Sequence, residues 1–378
     1  MRPIVKIWDA CKNVFAWWDK PKNFSENQTE TYKIPVYANW VNKDWLVWFT
    51  DISKVNEICL TVSWRWTIWF PVIRTSPFVP IVRLIVAIPN ENLDIKYLRY
   101  SVLWIDFNDT WVAIPQLTVP RFKEHKIPLP PLETQKAIVA KLDQIFAELN
   151  QTKSKIQKNL DNTDELWKSA LNQAFQGDWE MKRLGEVCDF VRWPFGWSLK
   201  KEIFVKEWYA VYEQQHAIYN QFSDFRYFIN NEKFLEMKRF EVYPWDLIMS
   251  CSWTMGKVSI VPKNSPKWII NQALLKITPS KSINAEFLKN WMDGKGFQDQ
   301  IWMNTQWAAI QNVASVKVIS TLNIPVPPLS EQEKIVAHLD QISKEVKALK
   351  SQYQSQLDNL EELKKSVLDK AFRWELLS

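Results

Sequence analysis

The chain has 378 residues, 47% of them hydrophobic and 24% charged, and a formal net charge of +6. This length exceeds one ordinary domain, and the composition excludes wholesale disorder and fibrous repeats. No apolar run is long enough to span a membrane, and the first residues lack the apolar core of a signal peptide, so we expect a cytoplasmic protein without a membrane partner. Four cysteines without C-x-x-C spacing and only three histidines predict neither a disulfide scaffold nor a metal site.

Tryptophan is unusually frequent and glycine unusually rare. The chain has 23 tryptophans and 6 glycines, and together they approach the glycine content of about 7% that soluble proteins normally have. Several tryptophans, such as Trp40, Trp45 and Trp253, stand in polar turn contexts that favour glycine. We hypothesise that the gene comes from a lineage that reads UGA as glycine, and that many of these tryptophans are glycine in the native protein.

The first segment, residues 1–126, is predicted to be a mixed α and β globule. Residues 58–62 and 82–86 are rich in branched apolar residues typical of strands, and residues 97–103 favour a short helix. The segment holds 16 basic and 12 acidic residues. This modest positive excess is compatible with an anionic partner but does not require one.

A long helix follows in the second segment, residues 127–177. It opens with two prolines and leucine at 130–132 and continues to Phe175 without an internal proline or glycine. Apolar residues recur on a heptad-like spacing, which indicates a coiled-coil seam. The residues that we expect to form it here are Ile138, Leu142, Ile145 and Leu149.

The second half of the chain repeats the first. Residues 178–323 form a second predicted globule, with a strand at 257–261 and a helix at 285–292, and hold 18 basic and 15 acidic residues. Residues 324–378 form a second long helix, which aligns with the first at a constant offset of 197. Its seam residues are Ile335, Leu339, Ile342 and Val346.

The predicted fold class is therefore α+β. Two mixed α/β globules alternate with two long helices that pair as an antiparallel coiled coil, which gives the chain an internal pseudo-two-fold duplication. The repeat also sets Trp8 opposite Gly185, Trp69 opposite Gly256 and Trp374 opposite Gly177, which supports the glycine hypothesis.

The sequence contains no recognisable catalytic constellation and no phosphate-binding P-loop. Candidate DNA contacts are loop residues with basic, amide or hydroxyl side chains, since amides pair with adenine and cations with guanine or phosphate. In the first globule these are Lys20, Lys22, Asn23, Arg65 and Gln116. In the second globule they are Lys200, Lys201, Gln214, His216, Ser252, Thr254, Lys257 and Gln306.

The duplicated architecture resembles the specificity subunit of type I restriction–modification systems. The motifs that carry the resemblance are Pro-Pro-Leu-x-x-Gln at 130–135 and 327–332, Ala-Phe at 174–175 and 371–372, and Leu-Gly-Glu-Val at 184–187. The resemblance covers nearly the whole chain. It implies two target-recognition domains that read an asymmetric, bipartite site in double-stranded DNA, with the paired helices as spacer.

The resemblance also implies partners. Two methyltransferase subunits and the restriction motor-nuclease subunits would dock on this chain, which would be non-catalytic and bind no cofactor. S-adenosylmethionine, ATP and Mg²⁺ would belong to those partners. Two alternatives stay open: a coiled-coil scaffold that binds only proteins, and a stand-alone DNA methyltransferase, for which no cofactor pocket is recognisable.

Overall fold

The computed structural model describes residues 3–38, 45–63, 70–105, 118–193, 199, 201–251, 254–265, 268–305, 316–373 and 376. The chain forms two compact units. Unit 1 comprises residues 1–157 and 355–378, and unit 2 comprises residues 158–354. Each unit therefore contains one globule, part of the first long helix and part of the second.

Unit 1 is built on two small sheets and a two-stranded ribbon. The ribbon pairs β1 with β9, the larger sheet has the antiparallel order β2-β8-β5-β6, and the smaller has the order β4-β3-β7. The strands are β1 Ile4–Lys6, β2 Cys11–Ala16, β3 Ile34–Ala38, β4 Leu46–Thr50, β5 Cys59–Ser63, β6 Phe70–Arg74, β7 Val79–Ile81, β8 Ile85–Pro89 and β9 Lys126–Pro128. The helices are α1 Ile7–Ala10, α2 Ile95–Trp104, α3 Val119–Glu124 and the long α4 Leu132–Ala174, of which unit 1 contains the first part.

Unit 2 has an equivalent ribbon and four-stranded sheet, and its second sheet has four strands where that of unit 1 has three. Its ribbon pairs β10 with β19, and its two sheets have the orders β11-β18-β15-β16 and β13-β12-β17-β14. The strands are β10 Met181–Arg183, β11 Cys188–Arg192, β12 Tyr209–Tyr212, β13 Phe228–Ile229, β14 Glu241–Val242, β15 Leu247–Ser250, β16 Val258–Ile260, β17 Trp268–Ile270, β18 Leu274–Pro279 and β19 Asn323–Pro325. The helices are α5 Leu184–Val187, α6 Gln214–Tyr219, α7 Asn231–Glu236, α8 Ala285–Asp293, α9 Lys295–Thr305, α10 Val316–Ile319 and the long α11 Leu329–Phe372.

These elements confirm the mixed α and β class and the two long helices. Two details differ from the sequence predictions. Residues 126–128 and 323–325 are strands, so the long helices begin only at Leu132 and Leu329, after the proline pairs. The predicted strand 82–86 is wrong in its first half, because Val82 and Arg83 form a turn and β8 begins at Ile85.

The two long helices pack antiparallel within each unit. In unit 1, Lys153 of α4 forms an ion pair with Glu361 of α11 at 2.6 Å. In unit 2, Lys350 pairs with Asp164. The offset of 197 relates Lys153 to Lys350 and Asp164 to Glu361, so the two ion pairs are repeat equivalents. The lysine hydrogen bonds lower the pKa of both carboxyls from their usual values.

The predicted seam residues fall into two groups. Those nearer the start of each helix are buried, and Ile138 and Leu142 lie in one core with Leu368 and Phe372 of α11. The buried seam residues are Ile138, Leu142, Ile335, Leu339 and Val346, and the half-buried ones are Ile145, Leu149 and Ile342. In both units the start of the helix therefore packs into the globule core.

A buried glutamine fixes the start of each long helix. Gln135 is fully buried, its Oε1 accepts from the Asp94 backbone N–H at 2.8 Å, and its Nε2 donates to the carbonyls of Asn92 and Pro130. The side chain of Asp94 caps α2. The glutamine thus joins the helix to the neighbouring loop and to the residue that caps the next helix.

We call these three hydrogen bonds from one buried glutamine side chain to the backbone the glutamine clamp. Unit 2 has the equivalent clamp, formed by Gln332. Its Oε1 accepts from the Asn284 N–H at 2.7 Å, and its Nε2 donates to the carbonyls of Ser282 and Pro327 at 3.0 and 2.8 Å. Asn284 caps α8. The glutamine that ends each copy of the duplicated motif therefore satisfies one buried and two partly buried backbone groups in each unit, which explains the glutamine in physical terms.

Tryptophan occupies strained backbone positions. Of the six described residues other than glycine that have positive φ, three are tryptophans: Trp45 (70°), Trp208 (114°) and Trp245 (75°). Trp245 is the third residue of a turn in which the Asp246 N–H donates to the Tyr243 carbonyl at 3.0 Å, after Pro244. This is a type II turn, whose third position requires positive φ and favours glycine. The backbone thus supports the glycine hypothesis at 208 and 245.

Other tryptophans are packed as core residues. Trp193 is 5% exposed, stacks on Phe240 and donates its indole N–H to the Ile270 carbonyl at 2.6 Å. A Cβ at residue 177 would lie 2.5 Å from the Trp179 ring, so glycine at 177 leaves room for the indole at 179. The structure therefore distinguishes exposed tryptophans with positive φ, Trp208 and Trp245, from packed ones such as Trp193, while Trp45 combines a positive φ with a buried side chain. Trp64, Trp69 and Trp374 lie outside the described residues.

Candidate nucleic-acid interface

Exposed cations collect on three contacting segments of unit 1. Residues 17–25 follow β2, residues 50–54 follow β4, and residues 81–84 form the turn between β7 and β8. The Arg83 N–H donates to the Trp17 carbonyl at 2.9 Å, and the Lys54 ammonium lies 5.0 Å from the Trp17 ring centre. The Thr50 hydroxyl donates to the Asn23 carbonyl at 2.7 Å. These contacts place the three segments on one surface.

We call this surface the Arg83 surface and define it by Lys20, Lys22, Lys54 and Arg83. All four side chains are exposed. Among the residues that the structure describes, none of the four has a carboxylate within 4.0 Å. Unpaired, exposed cations on one face are what a polyanionic partner requires. Lys20 and Lys22 of this surface, and Asn23 beside them, are predicted DNA contacts, whereas the sequence analysis does not predict Lys54 or Arg83.

In unit 2, the tip of the β15–β16 hairpin carries Thr254 and Lys257, both exposed. The Ser250 hydroxyl donates to the Thr254 carbonyl, and the Lys257 N–H donates to Ser250 Oγ at 3.1 Å. Gly256 has a φ of +75°, and Gln298 donates to its carbonyl at 3.1 Å. These hydrogen bonds tie the described residues of the tip to Ser250 and to Gln298 of α9, and the side chains of Thr254 and Lys257 are exposed.

A second turn lies beside this tip. The Cys251 N–H donates to the Ala273 carbonyl at 2.9 Å, which places the hairpin against the turn at 271–274. The Leu274 N–H closes that turn onto the Asn271 carbonyl, and the Ala273 N–H donates to Asn271 Oδ1 at 3.0 Å. Gln272 is exposed at its tip. The turn 271–274 thus joins the predicted contacts Thr254 and Lys257 on one surface.

His216 is a structural residue of α6. It is 1% exposed, its Nδ1 accepts from the Glu213 N–H at 2.8 Å, and its Nε2 donates to the Asp224 carbonyl at 3.0 Å. Both ring nitrogens are therefore used within the chain, which contradicts the predicted DNA contact. Arg226 binds Glu213 through two hydrogen bonds, and these raise the pKa of its guanidinium. Gln214, at the start of α6, is half-buried and stays a prediction.

The other predicted contacts cannot be placed on either surface. Those that lie outside the described residues are Arg65, Gln116, Lys200, Ser252 and Gln306, together with the side chain of Lys201. Within the described part of the chain, no cluster of three or more His, Cys, Asp or Glu side chains could hold a metal ion. None of the described helices combines the length and apolar character that crossing a membrane needs.

Comparison with known proteins identifies the family. The sequence profile of the type I restriction modification DNA specificity domain matches residues 11–162 and 176–359. A protein of Mycoplasma pneumoniae named as a candidate type I specificity subunit is 34% identical over 149 residues, which are 39% of this chain and 44% of that protein. The specificity subunit of the Escherichia coli type I restriction enzyme EcoBI is 23% identical over 303 residues, which are 72% of this chain and 63% of that subunit. The chain thus spans less than two thirds of the length of these two relatives.

A solved structure shares the fold over almost the whole length. A chain from a study of complex assembly and conformational transition in the type I R-M system has a TM-score of 0.72, with 19% identity and 98% of both chains covered. The profile matches the chain twice, and each match covers one globule and most of the long helix that follows it. The internal repeat in the sequence therefore corresponds to the repeat in the structure. The chain therefore belongs to the family of type I restriction–modification DNA specificity proteins.

Proposed function

We propose that this chain is the DNA-reading subunit of a type I restriction–modification complex in the cytoplasm. Each unit reads one half of a bipartite site in double-stranded DNA, and the long helices set the spacer. Because the two globules differ in sequence, the two half-sites differ and the site is asymmetric. The observation that carries this proposal is the duplication of globule, clamp and helix within a chain of this family.

The proposal assigns recognition to this chain and chemistry to its partners. Methyltransferase subunits supply the adenine methylation with S-adenosylmethionine, and restriction subunits supply cleavage with ATP and Mg²⁺. This chain contributes base and phosphate contacts. The Arg83 surface in unit 1 and the hairpin tip in unit 2 support this division of labour, since both present exposed polar and cationic groups.

DNA selection tests the proposal. The full chain, purified with the proteins that remain bound to it, is incubated with random-sequence duplexes, and the retained DNA is sequenced. We expect two short, different motifs at a fixed spacing. Affinity should fall by about 10³- to 10⁵-fold between 50 and 200 mM salt if six to ten phosphates are contacted. Retained DNA without a motif would instead favour the protein-binding scaffold.

An exposed leucine that occurs at the same position of both long helices supports the docking of two copies of one partner. Leu166 on α4 and Leu363 on α11 occupy the same repeat position and are 50% and 48% exposed. Each follows a glutamate that pairs with a lysine three residues later, Glu165 with Lys168 and Glu362 with Lys365. An exposed leucine with the same charged neighbours, present once per unit, is what two copies of one methyltransferase subunit would bind.

We expect Leu166→Glu or Leu363→Glu to remove one of two bound methyltransferase copies, and the double variant to remove both. A buried charge at the centre of an interface typically costs enough to weaken binding at least tenfold. The mass of the purified complex measures the copy number. Leu235→Glu, at an exposed leucine of α7, is the matched control. Unchanged stoichiometry in the double variant would exclude this docking surface.

A further inference from the structure

The turn before β8 in unit 1 is strained. Val82 and Arg83 have φ values of +53° and +59°, and the Leu84 N–H donates to the Ile81 carbonyl at 3.2 Å. Two successive residues with positive φ define a type I′ turn, in which glycine, asparagine and aspartate dominate. A β-branched valine in this conformation is a rare outlier. Backbone strain of this kind persists only where the surroundings enforce it, and it concentrates at functional sites.

The strain fixes the position of one exposed cation. The Arg83 backbone is held by its hydrogen bond to the Trp17 carbonyl, and its guanidinium lies 3.7 Å from the ring centre of Trp18. Stacking uses the face of a guanidinium and leaves its N–H groups free at the edge. The backbone anchor at residue 17 does not depend on the side chain at 17 or 18, so it also holds if these residues are glycine.

Unit 2 has a turn at the equivalent place in the chain, closed by the equivalent backbone hydrogen bond but with a different backbone conformation and different side chains. Residues 81–84 align with residues 271–274 in the repeat, so that Val82 corresponds to Gln272 and Arg83 to Ala273. Neither Gln272 nor Ala273 has a positive φ. In both units the turn leads into an inner strand of a four-stranded sheet, β8 in the order β2-β8-β5-β6 and β18 in the order β11-β18-β15-β16. The turn thus exposes an arginine at its third residue in unit 1 and a glutamine at its second residue in unit 2.

We propose that this turn is a base-reading element in both units, with Arg83 contacting a guanine and Gln272 contacting an adenine. Arginine binds the O6 and N7 acceptors of guanine through two hydrogen bonds, and glutamine binds N6 and N7 of adenine in the same way. The flanking cations Lys20, Lys22 and Lys54 then contact phosphates and set the register. The difference between the exposed side chains of the two turns, Arg83 and Gln272, accounts for part of the asymmetry between the half-sites. This inference rests on the proposed DNA-reading function.

The test is DNA selection with variants of the full chain and its bound partners, using random-sequence duplexes as the probe. Arg83→Ala should abolish the preference for guanine at one position of one half-site, by about tenfold or more, and leave the other half-site unchanged. Gln272→Ala should relax one adenine position in the other half-site. Arg373→Ala, which removes an exposed arginine paired with Asp369 on α11, is the matched control.

A fourth variant distinguishes the loss of the Arg83 contact with DNA from a change in the conformation of the turn. Val82→Gly relieves the strain and keeps Arg83, so it should preserve the guanine preference. Unchanged motifs in Arg83→Ala, or a uniform loss of affinity across all sequences, would overturn the base-reading role and leave the proposed function intact. If the unmodified chain retains no motif at all, the proposed function fails, and this inference fails with it.

Discussion

Gln332→Ala should lower the free energy of unfolding of unit 2 by about 3 kcal/mol. The substitution leaves the buried Pro327 carbonyl and the partly buried Asn284 N–H and Ser282 carbonyl without their side-chain partner. A buried backbone group without a partner costs about 1–3 kcal/mol, and a partly buried one costs less because water reaches it. Partial relaxation and water entry limit the sum. Denaturant unfolding measures the loss, and amide hydrogen exchange should show that the start of α8 opens first.

The same helix provides the control. Gln341 is exposed, and its side chain donates to Glu345 on the next turn and to no other residue that the structure describes, so Gln341→Ala should change stability by less than about 0.5 kcal/mol. Gln135→Ala and Gln144→Ala form the equivalent pair in unit 1. Equal stability of Gln332→Ala and Gln341→Ala would show that the clamp does not hold the helix to the globule.

Trp245→Gly should stabilise unit 2 by about 1–2 kcal/mol. An L-residue other than glycine at this turn position pays roughly that amount for its positive φ, and the indole is 49% exposed and contributes little packing in return. Trp208→Gly should act in the same direction, because Trp208 is 68% exposed with a φ of 114°. Thermal unfolding of the purified variants measures both effects.

Trp193→Gly should have the opposite effect, a loss of about 3–5 kcal/mol, since it removes a buried, stacked and hydrogen-bonded ring. Peptide masses of the protein from its own cells complete the test. Glycine at 208 and 245 with tryptophan at 193 would confirm the hypothesis on the genetic code. Tryptophan at all three positions would contradict it, whatever the stability of the variants.

The abundance of tryptophan was evident from composition, but the distinction between exposed tryptophans with positive φ and packed ones was not. Sequence context marks polar turns, yet it does not report φ. Trp245 stands out only once the hydrogen bond from Asp246 to Tyr243 defines a type II turn, and Trp193 only once its ring is seen stacked on Phe240. Both distinctions depend on backbone conformation and neighbours that are distant in sequence.

The sequence by itself determined the duplication, the two long helices and the family resemblance. These features are local or periodic. An uninterrupted heptad pattern after a proline pair predicts a helix whatever that helix packs against. Even the residues of the clamp, Gln135 and Gln332, were part of the recognised motif. Their function was not predicted, because the groups that they bind are brought near only by folding.

Only the tertiary structure decided which loop residues can meet DNA. His216 was a reasonable candidate by residue type, but its ring nitrogens are satisfied by Glu213 and Asp224 inside the globule. Arg83 was assigned to a strand, because Val82, Leu84 and their neighbours have the branched apolar pattern of β structure. Tertiary contacts override that local preference and turn the chain at Val82 and Arg83, where a guanidinium becomes exposed beside cations from two other segments.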